Sequence, residues 1–548
     1  MNEDFRKRIN RFVRDLLHGY APTATQAKTI HDPIWGSVEF HPWEVRIIDS
    51  PLFQRLRDIN QVGLAETTYP AARHTRFTHS LGTCAIASRM AQRLYADARE
   101  REEVREVIGD GEIRLLRLAA LLHDVGHCPY SHLSEAIYGK MPEFEPIRAA
   151  AIAECGQPIN PSPHEIFSYF VITSEAFVAF FHRHVAYPDA ETAADARDLL
   201  HRAARMIVGA VNETDRGRLS YLTEVLNGNF DADKLDYTQR DSYTAGIALT
   251  YGVERFLLKS VICRTEAGGV ADYRLALTAD ALSTVEELMF NRSMLYHYIY
   301  RHQKVLSAES QMRDALYSLV KVGRISHPCD FLTLSDGDID ALYRSRRQPY
   351  AAYGARRNKT LKHLMEALNH RSLMKRALEL SPDSFEEYQL PKRQMEQVLE
   401  ALEGDGEKED ILEDFLHGWQ RRTLFPQGIA DYIAFLNRCT PEDYIAERQT
   451  VAARIADAYR AAGKKVDFDA FDLALSFQPP LKSDLTLTIT DKKRRLIHAD
   501  GTILRMERWL EALNLSKWRG YLFVAPHVDR KLAGAAFAAY LKEKCAEE

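Results

Sequence analysis

Sulfur is scarce in this chain and poorly arranged for cross-linking. Seven cysteines (Cys84, Cys128, Cys155, Cys263, Cys329, Cys439, Cys545) are scattered over 548 residues, odd in number and without a C-x-x-C spacing. That pattern argues against a disulfide framework or a zinc ribbon and suits a reducing compartment. No stretch approaches the roughly 18 apolar residues expected of a membrane span. The Met1–Arg8 segment has no apolar stretch typical of a signal peptide, so the expected location is the cytoplasm. Internal repeats and low-complexity tracts are lacking too. So is charge of one sign: 72 Lys and Arg stand against 77 Asp and Glu, a net charge of −5. Non-specific nucleic-acid binding across the whole surface is therefore not expected, although a local basic pocket for a small polyphosphate remains open.

What the chain does have is helical periodicity. Val45, Ile48, Leu52, Leu56 and Ile59 recur at three or four residues, the mark of one buried helical face. Similar patterns predict helices over 79–107, 112–124, 164–185, 193–210, 217–227 and 281–305. A turn and short strand are expected at 31–40, and a strand or hairpin at 265–278 around Gly268-Gly269. Charged, glycine-containing stretches at 100–112, 335–348 and 403–410 read as interruptions. Alternation at 484–490 and an apolar run at 521–525 read as strands. The fold class is therefore mainly α, a helical bundle with a smaller α+β C-terminal region. The expected division is an extension at 1–30, a core at 31–330, a helical connection at 331–410 and the α+β region at 411–548.

The chemistry concentrates in histidines and aspartates. His123-Asp124 closes the apolar run 115–122, where an imidazole and a carboxylate are costly to bury without a partner. A divalent cation is an economical partner. His79 and the aspartates of Asp231-Ala232-Asp233-Lys234-Leu235-Asp236-Tyr237 offer more ligands of the same kind. No thiolate belongs to the set, which lowers the case for structural zinc. Imidazole plus carboxylate suits Mn, Fe, Co, Ni, Zn or Mg with an open position. Gly126 is expected to break the helix and turn His127 into the same cavity. His132, with Glu135 three residues on, is a candidate proton donor, and His164 is a second one.

These residues stand in an order that resembles the HD-domain superfamily of metal phosphohydrolases: His79, then His123-Asp124, then Asp233. More narrowly, four blocks resemble the deoxynucleoside triphosphate (dNTP) triphosphohydrolases. They run from Asp32-Pro33-Ile34-Trp35-Gly36 through Gln61 to His74-Thr75-Arg76-Phe77-Thr78-His79, then over Leu122–His132, Asp231–Tyr237 and Phe290–Lys304. The resemblance covers roughly 28–305; beyond about 330 it fades. It implies an HD-domain helical bundle in which His79, His123, Asp124 and Asp233 hold the metal. His132, oriented by Glu135 where relatives often carry aspartate, would act at the α-phosphate, with His127 and His164 nearby. Arg76, Lys234 and Arg292 would neutralise the triphosphate. Tyr237 and Asp241 would hold the sugar, Gln61 the 3′-hydroxyl and Tyr300 the base. The implied reaction converts a dNTP, dGTP or several of them, to deoxynucleoside and triphosphate.

The resemblance also implies an activating guanine nucleotide, with Lys28, Asp49, Arg57 and Arg255 at the matching positions, and a homo-oligomer, dimer or tetramer. Thr278 and Asp280 stand where basic residues are expected, and an aspartate there would repel a triphosphate. Two other readings stay open. One is an HD phosphohydrolase acting on another nucleotide or a nucleic-acid phosphoester. The other is a nucleotide-binding regulatory or defence protein.

Overall fold

The computed structural model describes residues 2–267, 269–344, 372–384, 427–481 and 517–546, with 368, 488–491, 496–497 and 513–514. The 403–410 stretch, most of the expected 331–410 connection and residues 411–426 lie outside the described residues. The chain is mainly helical and divides into two compact units. The first takes residues 1–305, 315–358 and 485–504; the second takes 306–314, 359–484 and 505–548.

The first unit is built on the helices Arg76–Arg99, Asp110–Leu122, Pro163–Ile172, Ala193–Ile207 and Ala232–Ala245. Their starts follow local chemistry. Gly109 N–H donates to Glu112 at 3.0 Å, and Ser162 N–H to Glu165 at 2.5 Å. Asp231 accepts Lys234 N–H at 2.7 Å. Each satisfies a backbone donor near the helix start that would otherwise be orphaned. Leu115, Leu116, Leu118, Leu121 and Leu122 are each 1% exposed or less, and each contributes about 2 kcal/mol by burial. Arg117 lies inside that run. Its guanidinium donates twice to buried Glu44, both at 2.7 Å, so the helix carries a charge into the core only as a forked ion pair.

Several expectations shift. The 31–40 strand is a hairpin of Lys28–Asp32 and Gly36–Phe40. The 265–278 hairpin is longer, pairing Ser260–Ala267 with Val270–Thr278. The 281–305 helix is Leu282–Leu295 followed by a wider π turn, Tyr296–Tyr300, before a new helix opens at Gln303. The charged 335–348 stretch includes a helix, Asp336–Arg344. Ser335 and Asp338 cap it reciprocally, so the charges mark a helix start rather than an interruption. Ile489–Thr490, expected to belong with the C-terminal strands, instead pairs in parallel with Val270–Thr278 in the first unit. Alternation predicts a strand but not the edge it joins.

In the second unit, Gly520–Val524 is the central strand between Lys375–Leu380 and Leu473–Phe477, antiparallel to both. Helices Pro441–Ala461 and Arg530–Ala546 pack there through Val451, Ile455 and Phe537. Among the described residues no helix is long and apolar enough to cross a membrane.

Candidate metal centre and its surroundings

The helix Asp110–Leu122 ends at His123, and the helix Arg76–Arg99 presents His79 one turn from its start. Their Nε2 atoms stand 3.3 Å apart. Asp233, in the first turn of Ala232–Ala245, places Oδ1 2.9 Å from His79 Nε2 and 3.9 Å from His123 Nε2. Asp124 reaches His123 Nε2 at 3.3 Å and His79 Nε2 at 3.7 Å. Metal–ligand bonds near 2.1 Å put adjacent donors about 3 Å apart, so this set fits one ion with small adjustments. Both histidines are oriented from behind. His123 Nδ1 meets Ala120 O at 2.8 Å, and His79 Nδ1 meets Asp236 Oδ2 at 2.8 Å. Such partners fix the ring that offers Nε2.

Electrostatics point the same way. Burial opposes a charged His79, but Asp233 and Asp236 outweigh it and raise its pKa to about 10. Burial likewise opposes the Asp124 carboxylate, yet His123 and Arg76 hold its pKa well below the usual range. The pocket favours positive charge where these donors meet, so the residues present can hold a divalent cation.

Asp236, from the same Asp231–Tyr237 stretch, backs His79 rather than joining the four donors. It sits three residues after Asp233, on the same helical face, and that spacing was the available signal. Arg240 donates to it at 2.8 Å and Trp35 Nε1 at 2.5 Å. Asp32 in turn pairs with Arg240 at 2.9 Å and accepts Trp35 N–H at 2.9 Å. The Asp32–Trp35 stretch thus supports His79 from behind. Gly82 makes room for this: a Cβ there would meet Asp236 Cγ at 2.8 Å.

Beside the centre lies a second cluster. Glu135 Oε1 meets His164 Nδ1 at 2.8 Å, His132 Nδ1 at 3.2 Å and His127 Nδ1 at 3.4 Å. The His127 and His164 rings stack at 3.9 Å. Burial would raise the Glu135 pKa, but His164 and His132 outweigh it and keep the carboxylate ionised. Glu135 in return lifts His164 to about 9, against burial. His127 is pushed well below the ordinary value by burial, then by Arg76 and His164, and is neutral. His132 alone of the four is exposed, 68% of its side chain. Gly126 serves this cluster through space rather than a left-handed dihedral: it has no positive φ, and its amide donates to Ser168 Oγ at 2.9 Å.

The remaining expected residues divide. Arg76 is buried, donating to Asp124 Oδ2 and Ser131 Oγ, both at 2.9 Å, and to Gln61 O at 3.3 Å. Gln61 is buried, and its Oε1 has no hydrogen-bond partner. Lys234 is held by Asp231 at 2.6 Å. Asp241 accepts from Tyr300 OH and meets His74 Nε2 at 2.7 Å. Burial raises the Tyr237 pKa well above its usual value, and Arg292 opposes this. Asp233, Tyr237 and Asp241 fall at i, i+4 and i+8 on one face of their helix, spanning about 12 Å along its axis. The four regulatory candidates do not all meet. Lys28 pairs with Asp49 at 2.6 Å. Arg57 lies over the Phe77 ring at 3.6 Å, and Arg255 donates to Asp280 O at 2.6 Å.

Residues 76–202 match the HD domain and residues 266–411 the HD associated region. An uncharacterized protein of Methanocaldococcus jannaschii is 30% identical over 291 residues, 53% of this chain and 49% of that protein. The deoxynucleoside triphosphate triphosphohydrolase SAMHD1 of Bos taurus is 28% identical over 295 residues, 53% of this chain and 47% of its own length. The Homo sapiens protein of the same name is 26% identical over 327 residues, 57% and 47% of the two chains. The chain spans about half the length of these relatives. The matched segment contains His79, His123 and Asp124, so residues 76–202 carry an HD domain, and the chain is similar over about half its length to deoxynucleoside triphosphate triphosphohydrolases.

Proposed function

We propose that this protein is a metal-dependent phosphohydrolase that cleaves a dNTP into deoxynucleoside and inorganic triphosphate. The observation that carries the reading is the meeting of His79, His123, Asp124 and Asp233 beside a separate, partly exposed histidine cluster. A divalent cation supplies positive charge to a phosphoryl oxygen and acidifies water. In this reading Arg76, Lys234 and Arg292 neutralise the triphosphate. Water adds to the α-phosphorus, the bond to the 5′-oxygen breaks, and His132 protonates that oxygen. Glu135 orients His132, while His127 and His164 line the α-phosphate. Tyr237 and Asp241 hold the sugar, Gln61 the 3′-hydroxyl and Tyr300 the base. The same reading carries a homo-oligomer and an activating guanine nucleotide at Lys28, Asp49, Arg57 and Arg255.

The test is product analysis of the purified protein with each dNTP and Mn or Mg. Deoxynucleoside plus triphosphate supports the reading. A nucleoside monophosphate moves it to another phosphoester chemistry, and no turnover leaves a nucleotide-binding regulator. Equal dATP hydrolysis with and without GTP removes the activator.

A further inference from the structure

The turn that carries His132 is strained. Tyr130 and Ser131, neither a glycine, both have left-handed φ, 55° and 52°. Two such residues in succession cost on the order of 1–3 kcal/mol each and persist only where the surroundings fix them. The fixing group comes from 206 residues away in sequence. Asp336 Oδ1 accepts Tyr130 N–H at 2.7 Å, and its Oδ2 accepts Asn60 N–H at 3.0 Å. Ser131 Oγ closes the ring by donating to Asn60 O at 2.6 Å and accepting Arg76 Nε at 2.9 Å. One carboxylate therefore ties the segment before His132 to the segment before Gln61. Ser335 and Asp338 cap the Asp336–Arg344 helix, so the Asp336 carboxylate is not consumed by its own helix.

Arg55 reinforces the same turn from the other side. It donates to Val125 O at 3.0 Å, His127 O at 2.5 Å and Leu332 O at 3.3 Å. Segment 332–336 is thereby bonded to both ends of the 125–130 loop.

We propose that Asp336 is a positioning residue for the phosphohydrolase site: it holds the Tyr130–Ser131 turn, and with it His132, in the geometry the reaction uses. This rests on the dNTP hydrolase reading. It adds a residue outside the HD domain that touches neither metal nor substrate. An acceptor of two amides is required, which alanine does not provide and asparagine provides only in part, since its NH2 would face one of the two donors.

The experiment compares the full chain with its Asp336→Ala and Asp336→Asn variants by dNTP kinetics with Mn, manganese binding and hydrogen exchange. Asp336→Ala is expected to lower kcat on the order of 10–100-fold, with KM and manganese affinity within about threefold, as for a group acting only through His132. Asp336→Asn falls between. Amides of Tyr130 and Asn60 should exchange on the order of tenfold faster in Asp336→Ala, with the 110–122 helix unchanged. Unchanged exchange at those two amides overturns the proposal, as does kcat within twofold of the parent. Faster exchange throughout the first unit also overturns it, because Asp336 would then serve folding alone. If the parent itself hydrolyses no dNTP, the functional reading fails while the exchange measurement still decides the clamp.

Discussion

One methyl group added at Gly126 tests how firmly the loop between the two histidine clusters is seated. A Cβ there would meet Phe167 C at 2.7 Å, with Ser168 N and His164 O closer still. Ordinary contact begins at 3.4 Å, so the loop must withdraw by well over half an ångström. The obstructing atoms are backbone of the Pro163–Ile172 helix and cannot rotate away. Withdrawal stretches two bonds: Gly126 N–H to Ser168 Oγ at 2.9 Å, and Ser168 Oγ to His123 O at 2.6 Å. Overpacking costs about 1–3 kcal/mol and a buried hydrogen bond about 1 kcal/mol. Gly126→Ala should therefore destabilise the first unit by about 2–4 kcal/mol. Because Asp124 and His127 flank the loop, manganese affinity should fall on the order of tenfold or more. Guanidinium unfolding gives the first quantity and equilibrium dialysis against manganese the second. Stability within about 0.5 kcal/mol of the parent, with unchanged manganese binding, would refute the steric reasoning.

Three further outcomes follow from the same geometry. His123→Ala and Asp124→Ala should each abolish metal content, measured by elemental analysis, and turnover; a variant keeping both removes the basis of the assignment. Asp236→Asn keeps the volume but weakens the support behind His79, so metal affinity should drop about 10–100-fold while circular dichroism stays the same; undiminished affinity rejects that role. The last outcome concerns pH. Burial raises the Asp336 pKa to about 6, against the two amides that lower it, from an ordinary value near 4. Between these values the folded protein holds the proton more tightly than the unfolded chain. Its contribution to stability is thus present below about pH 4 and is lost as pH rises to about 6. Stability measured from pH 4 to 7 in the parent, minus that in Asp336→Asn, should fall across this window; a level difference excludes it.

Much of the centre was legible because its logic is local. A histidine and an aspartate adjacent at the end of an apolar helix can be read from order alone, and so can Glu135 three residues after His132. The α+β texture of the second unit was equally visible, with Gly520–Val524 close to the expected strand. Less legible were roles set by distant partners. Arg76, expected to face phosphate, already donates to Asp124, and Lys234 is already paired with Asp231. Both reach a substrate only by sharing or exchanging those partners. His74 had no expected role, yet it meets Asp241 at 2.7 Å and Thr244 at 3.0 Å, bonds made across 167 and 170 residues.

By itself the sequence determined the kind of chemistry: which side chains can ligate, which helices they end or begin, and which family pattern they follow. Those properties depend on residue type and on separations of a few positions, which helical geometry converts directly into a shared face. The tertiary structure alone decided that Trp35 supports Asp236, that Ile489–Thr490 joins the first unit's sheet, and that Asp336 grips a strained turn 206 residues away. Such pairings arise where separately formed elements pack against one another. A carboxylate at position 336 has no local spacing that announces the amides it will meet.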